Sequence, residues 1–64
     1  MKRQVLIKFL TANGCVLLRE GKKHSLYRNI ANGKMTAVPR HPDIQEMTVK
    51  SICKQLDIPQ SKIN

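Results

Sequence analysis

The chain has 64 residues, with twelve Lys and Arg against four Asp and Glu, a net charge of +8 and a pI near 10.1. A chain this short buries only about 60% of the surface its unfolded form exposes. It is therefore read as one domain over residues 1–64, with no core to spare for a deep cofactor cavity and any active site a shallow groove suited to a large substrate.

The cationic excess attracts polyanions: nucleic acid, an anionic membrane surface or an acidic protein partner. The membrane reading is weakest, because no apolar run approaches the ~20 residues of a spanning helix. Met1-Lys2-Arg3 ahead of Val5-Leu6-Ile7 faintly resembles a signal peptide. Lys8 breaks that stretch, and Asn13-Gly14 ends it without a small-residue cleavage site. A cytoplasmic protein is expected.

The elements follow in chain order. Lys2 to Ala12 reads as a helix, with Val5, Leu6, Phe9 and Leu10 forming an apolar stripe and Lys2, Arg3, Lys8 and Thr11 on the other face. Asn13-Gly14 stops it, since Gly adopts the left-handed conformation that closes a helix. Cys15 to Glu20 is a strand candidate, Gly21-Lys22-Lys23 a turn, and His24 to Ile30 a second strand. Asn32-Gly33 signals a hairpin, as both residues tolerate positive φ. Lys34 to Val38 is a third strand, ended by Pro39, which lacks a ladder N–H.

Arg40 to Glu46 is a loop held by prolines. Thr48 is the expected N-cap of a second helix, whose Val49, Ile52, Cys53 and Leu56 fall at i, i+3, i+4 and i+7. Ile58-Pro59 ends it, leaving a short turn or tail. The order predicts an α+β fold: a three-stranded antiparallel meander with two helices packed on one face and the other face open. This α-β-β-β-α order is that of the double-stranded-RNA-binding fold, which reads RNA by shape and phosphate contacts.

Cys15, Cys53, His24 and His41 are too dispersed for the paired spacing of zinc ligands, so no metal site is expected and both cysteines read as small buried hydrophobes. Gly14, Gly21 and Gly33 are turn residues rather than a phosphate loop, so no cofactor is expected. Ser25 and Ser51 lack a nucleophile elbow, and the carboxylates form no catalytic pair.

His24 stands out because it follows Lys22-Lys23 and lies near Arg19 and Arg28. Metal-free RNA cleavage requires deprotonating a 2′-OH and protonating the leaving 5′-oxygen. A histidine titrates near neutrality and serves either step. Neighbouring cations hold the phosphate and stabilise its developing charge. Taken alone, one histidine beside cations is a weak signal, better read as a plain surface residue than as a catalytic one. His41, in a Pro-stiffened loop, is open to three readings: a second acid/base group, a phosphate contact, or a structural donor tying loop to sheet. Tyr27 should project opposite His24 and pack in the core, leaving few aromatics for base stacking.

Several pieces resemble the HicA toxin family, over Leu10 to Pro59. They are Asn13-Gly14 with Cys15 to Glu20, then Gly21-Lys22-Lys23-His24-Ser25-Leu26-Tyr27, Ala37-Val38-Pro39-Arg40-His41, and Thr48 to Pro59. The resemblance implies a double-stranded-RNA-binding-like fold and a ribosome-independent endoribonuclease that cuts mRNA. It also implies a HicB-type antitoxin partner and a catalytic histidine at His24. Arg19, Lys22, Lys23, Arg28 and Arg40 are the expected RNA-binding cations. The common family turn reads Gly-Ser-His, whereas here Gly21 lies three residues before His24. The competing expectations are a non-catalytic RNA-binding module of the same fold and an interaction protein with an acidic partner.

Overall fold

A computed structural model describes residues 1–59, and the expected turn or tail after Pro59 lies outside them. The elements are α1 (Arg3–Ala12), β1 (Cys15–Glu20), β2 (His24–Asn29), β3 (Met35–Pro39) and α2 (Glu46–Leu56). The strands form an antiparallel sheet in the order β1-β2-β3. The α+β, α-β-β-β-α architecture is the one expected.

Period-two alternation divides the sheet. Ser25, Tyr27 and Asn29 of β2 and Thr36 and Val38 of β3 are buried, while His24, Arg28, Met35 and Ala37 are exposed. The buried set faces a core of Leu6 and Leu10 from α1, Cys15, Ile44, and Val49, Ile52, Cys53 and Leu56 from α2. The α2 stripe thus buries all four residues read from its spacing. Both cysteines are free and buried, and loss of hydration pushes their thiols above the ordinary range.

Four details differ from expectation. In α1 the buried residues are Leu6 and Leu10, while Val5 is 49% exposed. Ile7 and Phe9 pack at the margin, so the stripe is rotated towards Ile7. Pro39 belongs to β3, paired with His24; β3 is an edge strand, where a missing N–H costs no ladder bond. α2 starts at Glu46 after Gln45, without a side-chain cap, so Thr48 lies inside the first turn. In the Ile30–Lys34 connection only Gly33 has positive φ, at 75°. Asn32 instead accepts from the Lys34 N–H at 2.9 Å and donates to the Leu56 carbonyl at 3.1 Å.

The helix ends are closed locally. Gly14 has φ of 80° after α1, and Asn13 Nδ2 donates to the Phe9 carbonyl at 2.9 Å. After α2, Asp57 is left-handed at φ 56°. The Asp57 and Ile58 N–H groups return to the Lys54 and Cys53 carbonyls at 3.1 and 3.0 Å, a Schellman closure. Asn29, buried on β2, adds a bond to the Leu56 carbonyl at 2.8 Å.

Candidate functional site

The β1–β2 turn places His24. The Gly21 N–H donates to the His24 carbonyl at 2.8 Å across Lys22-Lys23. A Cβ at Gly21 would lie 2.9 Å from that oxygen, a separation real side chains do not tolerate. Glycine is therefore required by close approach, and the turn admits Lys22 and Lys23 as exposed residues. His24 enters β2 opposite Pro39, with its side chain exposed.

The loop after β3 is drawn to this turn. The Arg40 N–H donates to the Lys23 carbonyl at 3.1 Å, and the Arg40 guanidinium to the Gly21 carbonyl at 3.0 Å. Arg40 also lies 3.9 Å from a Glu20 carboxylate oxygen, both side chains being about half exposed. Lys22, Lys23, His24, Pro39, Arg40 and His41 consequently line one cleft of about 430 Å³. A second groove, about 530 Å³, adjoins His24 between β3 and α2, with Thr36, Ala37, Met47, Ser51 and Gln55 among its lining.

The remaining expected cations lie elsewhere on the sheet. Arg19 stands opposite Leu26, and Arg28 pairs with Val16 and Met35. Arg28 is four residues along β2 from His24, about 13 Å at 3.2–3.4 Å per residue. Its guanidinium reaches the Gly33 turn, where a Cβ would meet Nη2 at 3.4 Å. The structure gathers Lys22, Lys23 and Arg40 around His24 and sets Arg19 and Arg28 apart from that cleft.

A polar network below the turn escaped sequence reading. Arg3 donates through Nε to the Pro39 carbonyl at 2.9 Å and through Nη2 to Ser25 Oγ at 2.8 Å. The Ser25 hydroxyl, fully buried, donates in turn to a Glu20 carboxylate oxygen. That bond, with Arg40 and Arg3 nearby, holds the Glu20 carboxyl below the usual carboxylate range against a smaller opposing effect of burial. Arg3 looked solvent-facing because it shares a helix face with Lys2 in the apparent pattern. The available signal was the parity of Ser25, which alternates inward beside outward His24.

The sequence matches the family described as HicA toxin of bacterial toxin-antitoxin over residues 3–58. The chain belongs to the HicA toxin family. No curated protein and no solved structure gave a match. As a HicA toxin, it is one component of a toxin-antitoxin system whose other component is an antitoxin. The HicA match spans every element described above, from the first residue of α1 to two residues past α2. Among the described residues, no helix is long and apolar enough to cross a membrane.

Proposed function

We propose that this HicA toxin is a cytoplasmic, metal-independent endoribonuclease, working as a single domain, that binds and cleaves mRNA. The observation that carries the reading is the cleft in which exposed His24 shares its walls with Lys22, Lys23 and Arg40. A phosphodiester drawn between these cations has its charge neutralised where negative charge grows on the phosphoryl oxygens. His24 is the acid/base group, exchanging a proton with the reacting ribose-phosphate unit. Arg19 and Arg28, on the same sheet but outside the cleft, guide flanking phosphates.

The open cleft suits a chain that lies across it, and the same openness offers a HicB-type antitoxin a direct way to block His24. The buried position of Tyr27 supports affinity based on phosphate contact and shape rather than stacking.

Expression in a growing bacterial cell tests the proposal. The parent chain arrests growth and fragments mRNA, while His24→Ala loses both, with cleavage reduced by about 10²–10⁴-fold. The variant should keep the parental circular-dichroism spectrum and RNA affinity, because His24 is exposed. Equal arrest and fragmentation by the variant would contradict the assignment. RNA binding by both proteins with cleavage by neither would instead identify a non-catalytic RNA-binding module.

A further inference from the structure

The cleft contains a second imidazole. His41 lies two residues beyond Pro39, the β3 partner of His24, and both histidines line the same cleft of about 430 Å³. His41 is exposed, and a structural role for it would be to tie its loop to the sheet. Other groups already do this. Arg3 binds the Pro39 carbonyl through its guanidinium at 2.9 Å and the Pro42 carbonyl through its N–H at 2.8 Å. Arg40 binds the Lys23 carbonyl at 3.1 Å through its N–H and the Gly21 carbonyl at 3.0 Å through its guanidinium. These ties bracket His41 on both sides. Among the described residues, neither imidazole takes part in a hydrogen bond.

The chemistry of RNA transesterification needs two proton transfers at one phosphodiester, one from the 2′-OH and one to the leaving oxygen. Lys22, Lys23 and Arg40 bring positive charge that stabilises the phosphoryl oxygens. Imidazole is the side chain in this cleft suited to exchange at neutral pH, and two are present.

Resting on the ribonuclease reading above, we propose that His41 is a second catalytic residue, the general acid that completes a His24–His41 pair. His24 takes the 2′-OH proton as the 2′-oxygen bonds to phosphorus. The bond from phosphorus to the 5′-oxygen breaks, its electron pair leaves on that oxygen, and His41 supplies the proton. The products are a 2′,3′-cyclic phosphate and a free 5′-hydroxyl. His24 then returns its proton to water, and His41 takes one up.

The test compares ordinary RNA with RNA whose scissile 5′-oxygen is replaced by sulfur, a leaving group that departs as thiolate without a proton. His41→Ala should cleave ordinary RNA about 10²–10⁴-fold more slowly than the parent, yet cleave the sulfur substrate within about an order of magnitude of it. His24→Ala should be slow on both. His41→Asn, which preserves polarity but exchanges no proton near neutrality, should behave as His41→Ala, and circular dichroism checks the fold of each variant. Parental rates for either His41 variant on ordinary RNA, or equal slowing on both substrates, would overturn the pair while leaving the ribonuclease reading intact. Cleavage of neither substrate by the parent would overturn both.

Discussion

A methyl group at Gly21 would sit 2.9 Å from the His24 carbonyl oxygen, so the residue that sets the turn also sets the backbone of the candidate catalytic residue. Gly21→Ala should therefore displace His24 and reduce RNA cleavage far more than RNA affinity, as seen by comparing cleavage rates with equilibrium binding. Equal loss in both would indicate general unfolding. Lys22 and Lys23 act differently: replacing either by Ala should flatten the plot of log affinity against log salt by about 0.7–0.9 for each phosphate no longer neutralised. Arg28→Ala should weaken long RNAs more than short ones, given its distance along β2. Ser25 links Arg3 to Glu20 from a fully buried position. Ser25→Ala leaves those charges without their shared hydroxyl and should cost about 1–3 kcal/mol. The folded Glu20 carboxyl lies below its ordinary range, so the stability it contributes is full above that range. It is lost as pH falls through the range and below it. Urea unfolding at neutral and acidic pH should show a smaller Glu20-dependent decline in Ser25→Ala than in the parent.

At the level of elements, α1 gives the sharpest contrast. Leu6→Ala removes a fully buried side chain and should cost about 2–5 kcal/mol, whereas Val5→Ala, at a half-exposed position, should change stability by no more than about 0.5 kcal/mol. Chemical denaturation of the two variants checks the rotation of the helix directly. Asp57 occupies the left-handed closure of α2 and sits 4.0 Å from Lys34 in a mostly exposed pair. Such a pair contributes little, so Asp57→Gly should be neutral or mildly stabilising in the same assay. The α2 stripe was readable from sequence because four small or branched apolar residues repeat on one face with charged residues between them. The α1 stripe was not, because Val5 and Ile7 are both apolar, and only tertiary packing decides which turns inward. The β3 boundary failed for a similar reason: Pro39 reads as a strand stop until β3 is known to lie at the edge. The convergence of turn 21–24 and loop 40–41, which builds the cleft, depends on strand register. It had no signature in the spacing of the histidines.

For the whole molecule, the chain carries a net charge of +8, and the described residues form a body 27 × 26 × 17 Å across. HicA membership covers the helix–sheet–helix frame, and the cleft places an imidazole among cations on its surface. Small domains hold little excess stability, and here the buried polar groups Ser25, Asn29 and Thr36 all have partners in side chains or helix-end carbonyls. The most direct measurement is incubation of the purified chain with a long single-stranded RNA in excess EDTA, beside His24→Ala. The catalytic assignment of His24 predicts fragments from the parent and intact RNA from the variant at equal protein concentration. Intact RNA from both, despite binding, or equal fragmentation by both would contradict it.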